Sequence, residues 1–259
     1  MQLATWNVNS LGVRLPHVLE WLAEHPVDVL ALQELKLPDE KFPAEALREA
    51  GYHAVWLGQK TYNGVALLSR AEPQDVVRHI PGFPDEQSRA IAATYPLPDG
   101  STVRVVGCYF PNGQAPGSDK FAYKMRWLEA LHRWVQEELT RHPQLALMGD
   151  YNITFDDADV WDPDGLRETI HCTTEERQHL QRLVALGLHD AHRLFEQPPK
   201  SYSWWDYRML GFQKNRGLRI DHILVTDALK ARATGCTIDR APRKKPQPSD
   251  HAPVVLTLG

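Results

Sequence analysis

Cysteine is scarce and unpatterned in this chain. Its three cysteines, Cys108, Cys172 and Cys236, are odd in number, far apart and free of any C-x-x-C pair, which argues against a disulfide framework and against a thiolate zinc site. A reducing cytoplasm is the expected setting. The opening MQLATWNVNS has neither a basic segment nor a long apolar run, and no later stretch is apolar for the length a bilayer requires, so a soluble protein without membrane contact is expected. Positive charge is not in excess either: 29 Lys and Arg stand against 33 Asp and Glu, a formal net charge of −4. A general basic footprint for nucleic acid is therefore missing. That absence weighs little if the acids surround a divalent cation, because the metal offsets them and phosphate contacts then come from a local basic face. Lys120, Lys124 and Arg126, or Arg243, Lys244 and Lys245, would supply such a face.

What the chain does have is a core. Of its 259 residues 42% are hydrophobic, enough for one sizeable domain over residues 1–259, and a monomer is expected. Short apolar runs alternate with amphipathic stretches, with no repeat or linker between them, which is an α/β pattern. Strands are expected over 3–6, 27–32, 65–68, 103–109, 145–148, 220–225 and 254–258. A helix is expected over 16–24 with Pro16 in its first turn, and another over 121–141, where Trp127, Leu131, Trp134 and Val135 share a face and are assigned to the core.

The ends of these strands carry the unusual chemistry. Asn7 follows the first, Gln33 and Glu34 the second, Tyr109 closes another, and Gly149-Asp150-Tyr151-Asn152 follows the apolar run 145–148. A single acid after a strand is ordinarily a cap or a surface residue. Repetition at strand end after strand end asks for a shared reason, and a hard cation held by carboxylate and amide oxygens supplies one. Arg219-Ile220-Asp221-His222 and Ser249-Asp250-His251 add acid–base groups. An aspartate that accepts from one imidazole nitrogen fixes the tautomer and frees the other nitrogen for phosphate or water, and Asp221 with His251 fits that pairing.

Seven segments together carry a family resemblance: Trp6-Asn7-Val8-Asn9, Leu32-Gln33-Glu34-Leu35-Lys36, Tyr62-Asn63-Gly64-Val65-Ala66, Gly107-Cys108-Tyr109-Phe110-Pro111-Asn112, Gly149-Asp150-Tyr151-Asn152, Gly217-Leu218-Arg219-Ile220-Asp221 and Ser249-Asp250-His251-Ala252-Pro253. In order and spacing the set resembles exonuclease III over essentially the whole chain. Each string alone is weak, whereas seven in sequence are not a chance match.

The resemblance implies a DNase I-like, four-layered α/β sandwich, with two mixed sheets face to face, helices outside and the site at one end. It implies Mg²⁺, replaceable by Mn²⁺, held mainly by the residue matching Glu34 with those matching Asn7 and Asp250, and with Asp150 and Asn152 also among the ligands. Asp150 and Asn152 match residues that orient or deprotonate the attacking water and stabilise the transition state, Asp221 and His251 the family's carboxylate–imidazole pair, and Tyr109 its active-site tyrosine. The sequence does not choose between Asp150 and His251 as the base, nor between one metal and two.

The implied substrate is duplex DNA with 3′ ends or damaged sites. Trp204, in Ser203-Trp204-Trp205-Asp206-Tyr207, matches an aromatic that lines the nucleotide pocket, Asn112 matches a phosphate-contacting asparagine, and Arg208, Lys214, Arg216 and Arg219 surround the aromatic segment. An inositol- or lipid-directed enzyme of the same fold would lack that segment, and a binding module without activity would have lost one of Glu34, Asp150 or His251.

Three positions depart from the family pattern. Gly12 stands where arginine is common, Leu35 where threonine is common, and His171 where the abasic endonucleases have glycine or serine beside the aromatic pocket. A bulky imidazole there would bar an extruded abasic deoxyribose but not a terminal nucleotide. The expected activity is DNA repair as a 3′-to-5′ exonuclease and 3′-phosphatase, the alternative being an abasic-site endonuclease with exonuclease activity.

Overall fold

The computed structural model describes residues 1–259. The chain begins with β1 (Gln2–Asn7), helix α1 (Leu11–Glu24), β2 (Val29–Gln33), the short α2 (Ala44–Glu49), β3 (His53–Leu57) and β4 (Val65–Ser69). It continues through β5 (Gln74–Arg78), β6 (Ala90–Pro96), β7 (Thr102–Tyr109), the long α3 (Asp119–Arg141), β8 (Leu145–Asp150), α4 (Thr174–Val184) and β9 (His189–Asp190). A small hairpin of β10 (Trp204–Trp205) and β11 (Gly217–Leu218) precedes β12 (Asp221–Val225), α5 (Asp227–Lys230), β13 (Ala233–Ile238) and β14 (Val254–Leu258).

The strands form two six-stranded sheets, ordered β13-β14-β1-β2-β4-β3 and β5-β6-β7-β8-β12-β9. Both are mixed, since β1 is parallel to β2 and β7 to β8 while the other neighbours are antiparallel. Because side chains alternate along a strand, each sheet has two apolar faces to cover. Leu3, Val29, Ala31, Val105, Met148 and Ile223 pack together between the sheets. Ala4, Trp6, Leu30 and Leu32 face outward onto Val18 and Trp21 of α1, and Val106, Leu145 and Leu147 face Trp127, Leu131 and Trp134 of α3. Four layers result, as the sandwich expectation requires. Truncating a residue such as Leu131 to alanine would cost about 2–5 kcal/mol.

Two local readings need correction. Helix α1 starts at Leu11, before 16–24, because Ser10 caps it by accepting from the Val13 N–H; Pro16 therefore lies inside the helix, where its missing N–H costs one bond. Strands β3, β5, β6, β9 and β13, the β10–β11 hairpin and helices α2, α4 and α5 were not expected from the sequence; several are too short or too polar to show a period. No helix is long and apolar enough to cross a membrane.

Candidate active site

Where the inter-sheet core ends, polar groups continue its pattern. Asp150 is the Cα partner of Tyr109 on one side and of Asp221 on the other, across β7, β8 and β12. All three keep the inward parity of Val105, Met148 and Ile223. Asn7 does the same on the facing sheet, two pleats beyond Leu3. Gly149 permits the close approach of β8 to β7 at this point: a Cβ there would stand 1.9 Å from the Cys108 carbonyl oxygen, so any side chain would displace Asp150.

Asn7 joins the two sheets. Its Nδ2 donates to Glu34 Oε2 at 2.6 Å and to Asp150 Oδ2 at 2.8 Å, while its Oδ1 accepts from the Asn9 N–H at 2.9 Å. Asn7 thus lies between the two carboxylates with its amide nitrogen toward both. Glu34 and Asn152 both lie in the left-handed region, at φ 56° and 51°, a conformation of about 1–3 kcal/mol strain that persists only where the surroundings impose it. Around Glu34 the imposing bonds are Ser10 N–H to its carbonyl at 2.8 Å and Leu35 N–H to the Gly64 carbonyl at 3.2 Å. The Asn152 N–H donates to Asp150 Oδ1 at 3.0 Å and its Nδ2 to the Phe110 carbonyl at 2.9 Å.

His251 sits under this cluster with Nδ1 2.8 Å from Asp221 Oδ2 and Nε2 3.5 Å from Asp150 Oδ2. Burial disfavours the imidazolium, but Asp221, Asp150 and Asp250 outweigh it and hold the His251 pKa well above the ordinary value. Burial pushes the Asp150 carboxyl up to about 8; Asp221 and Glu34 add to this, while the His251 cation and the Asn7 bond oppose it. The Tyr109 hydroxyl is pushed up by burial and then by Glu34 and Asp150, so it remains a donor.

Glu34, Asp150 and His251 present ligand atoms within 4.8 Å of one another. Asp250, held by Asn9 Nδ2 at 3.3 Å and Trp204 Nε1 at 3.0 Å, is near enough for its charge to act on His251 and Tyr109. Four carboxylates, those of Glu34, Asp150, Asp221 and Asp250, thus crowd one imidazole, a charge deficit by count. Hard oxygen donors with a charge deficit fit a small divalent cation.

The expected substrate residues divide. Trp204 is half-buried beside the cluster, whereas Trp205 is core, its Nε1 bonded to Asn215. Asn112 lines a cleft of about 720 Å³ with Tyr109, Arg89, Gln87, Tyr62 and Lys120, the Arg89 guanidinium lying 4.9 Å from the centre of the Tyr109 ring. Arg208 is on the surface, paired with Asp206. His171, at φ 74°, is buried with Nδ1 2.7 Å from the Asn152 carbonyl and its ring 6.5 Å from that of Trp204. Burial, with Lys124 adding, pushes its pKa down to about 3.

Three basic residues named from the sequence are buried. Arg219 is buried between Asp159 and Asp190, Arg243 is buried against Trp205 and Phe212 and donates to the Ser249 carbonyl, and Lys124 is fully enclosed. Lys245 pairs with Glu20.

Other residues were missed: Lys36, 3.6 Å from Glu34; Ser203, whose Oγ accepts from the Ile220 and Asp221 N–H groups; and Ser249, whose Oγ donates to the Asn7 carbonyl and accepts from the His251 N–H. Lys36 and Ser249 lie inside the motif strings, and their position there was the available signal.

A DNase I-like sandwich with carboxylates and an imidazole gathered at the open end of its core defines a hydrolase of the metal-assisted phosphoesterase class. The chain belongs to the endonuclease/exonuclease/phosphatase family, whose model matches residues 4–251, and within it to the exonuclease III-like nucleases. It is 39% identical to exodeoxyribonuclease III of Haemophilus influenzae over 98% of both chains. Among solved structures it matches the 3′ phosphatase NExo from Neisseria, bound to a product DNA hairpin, with TM-score 0.96 and 50% identity over 100% of this chain and 99% of that one. It matches an AP endonuclease from Archaeoglobus fulgidus with TM-score 0.93 and 34% identity, again over 100% and 99%.

Proposed function

We propose that this chain is a Mg²⁺-dependent DNA repair nuclease, one catalytic domain over residues 1–259, that trims 3′ ends of duplex DNA as a 3′-to-5′ exonuclease and 3′-phosphatase and incises abasic sites poorly. The observation that carries the preference for ends is His171. Its imidazole is buried, kept neutral and tied to the Asn152 carbonyl beside Trp204, and we read that position as the space an extruded abasic sugar would need. A terminal nucleotide reaches the phosphate site without entering that space.

A divalent cation held by Glu34, Asp150 and Asp250 would supply Lewis acidity for the phosphoryl oxygens. Asp150, whose ligand atom lies within 4.8 Å of those of Glu34 and His251, would take a proton from the attacking water. Asp221 favours the charged form of His251, which would serve as donor and counter-charge to the phosphoryl oxygens. Tyr109 and Asn112 donate further hydrogen bonds, and Asn152 fixes one Asp150 oxygen through its N–H. The net charge of −4 is no obstacle, because the basic contacts needed at a duplex end are local: Arg89, Lys120 and Lys36 stand around the cleft and the cluster.

The test is one assay in which duplexes with a recessed 3′-hydroxyl, a 3′-phosphate and an abasic site are offered side by side, with Mg²⁺ and with chelator. The expected result is Mg²⁺-dependent attack on both 3′ ends and slow abasic incision. Abasic incision at the speed of end trimming would make the chain an ordinary abasic endonuclease, and attack on none of the three would overturn the nuclease reading.

A further inference from the structure

Lys124 has no exposed surface, so it meets no phosphate, although a lysine so near the site invites that role. Its Nζ donates to the Asn112 carbonyl at 3.1 Å and to the Asn152 carbonyl at 2.8 Å, and it pairs with the buried Glu176 carboxylate. Glu176, also without exposed surface, accepts from the His171 N–H at 3.2 Å and from Thr173 Oγ1 at 2.8 Å within the capping box that starts α4. Gly113, at φ +86°, lies directly on the lysine stem, where a Cβ would stand 2.9 Å from Lys124 Cδ. Three loops of different origin, around Asn112, Asn152 and His171, therefore rest on one ammonium–carboxylate pair.

We propose that Lys124 is a positioning residue of the active site, holding Asn112 and the strained Asn152 at the phosphate while Glu176 keeps it charged and anchors the His171 wall. The inference rests on the reading of Asn152 as a transition-state residue. A buried pair of this kind is not a strong source of stability, because desolvating both charges offsets most of their attraction. The two carbonyl bonds are specific, however, and a displacement of about 1 Å in a phosphate-binding residue costs about a hundredfold in rate.

The test separates placement from folding with three variants, assayed on recessed 3′ ends. Lys124→Met strands a buried carboxylate and is expected to lose both stability and kcat. Glu176→Gln keeps an amine that still donates to both carbonyls, so it is expected to melt lower yet retain kcat within about twofold. The double variant Lys124→Met/Glu176→Gln leaves no stranded charge, so its melting temperature is expected to recover while kcat stays down by about tenfold or more and KM moves less. Recovery of kcat along with stability in the double variant, or loss of kcat in parallel with stability in Glu176→Gln, would overturn the proposal and leave a purely structural pair. Asn152→Ala is assayed beside them: if it is as fast as wild type, the reading of Asn152 has failed, and if it is slow while the double variant is fast, only the Lys124 inference has.

Discussion

Asp221 Oδ2 lies 2.8 Å from His251 Nδ1, both groups buried, and this fixes the imidazole with Nε2 toward Asp150. Asp221 is also the largest of the influences that favour the His251 cation. Replacing it with asparagine keeps the shape and removes the charge, so the His251 pKa falls. In Asp221→Asn the alkaline limb of the pH–rate profile on recessed 3′ ends should move to lower pH, and kcat should drop by about a hundredfold or more. An alkaline limb that stays in place would show that the pair does not set the ionisation that matters.

Glu34 is held in the left-handed region with its carboxylate against Asn7. Loss of this oxygen in Glu34→Ala should reduce the rate by orders of magnitude at limiting Mg²⁺ and less at saturating Mg²⁺. A Mg²⁺ titration of both proteins checks this, and near-normal activity of the variant at low Mg²⁺ would remove Glu34 from the metal.

Asp150→Asn should abolish turnover while leaving duplex affinity almost unchanged at one fixed salt concentration, since the role assigned to Asp150 is in the transition state. Affinity lost in parallel with turnover would make Asp150 a residue for holding substrate.

Acid should destabilise the protein in a definite window. Burial pushes His171 down to about 3 and His192 and His222 to about 4, so between pH 6.5 and 4 the unfolded chain binds protons on all three that the native state does not. Stability then rises with pH in this window and is lost on acidification. Asp150, raised to about 8, binds a proton in the native state over the same range and opposes the trend by one. The net effect is a loss of roughly 1–3 kcal/mol per pH unit below 6.5. Urea midpoints measured in chelator from pH 7 to 4 check it; a flat profile would mean that these histidines take up protons without unfolding.

The strand-end part of the site was legible because of parity. In β8 the inward positions are Ala146, Met148 and then Asp150, and in β12 Asp221 precedes Ile223 and Val225 in the same register, so an acid in core phase marks the end of the core. Glu34, Asp250 and His251 lie outside the strands, where no period operates; Glu34 showed as an acid directly after a strand and His251 as a partner for Asp221, while the metal role of Glu34 and Asp250 came only from the order of the motifs.

Lys124 was misread, although the signal was there: Phe121, Lys124, Leu128, Leu131 and Val135 form one helical stripe, and all five are buried. Arg219 gave no such warning, since the acids that bury it, Asp159 and Asp190, are far away in sequence and meet it only in the fold. The amide orientation of Asn7 was not legible, since it depends on a bond to Asn9 that forms only in the fold.

The most direct measurement of the central claim is the ratio of abasic incision to recessed 3′-end trimming, compared between wild type and His171→Gly on otherwise identical duplexes. The ratio matters because His171 also donates to the Asn152 carbonyl, so its loss is expected to slow both reactions through that bond. The account expects a low ratio for wild type and a rise of about tenfold or more in the variant, as the pocket beside Trp204 opens to the extruded sugar. A wild-type ratio near one, or no rise in His171→Gly, would contradict it.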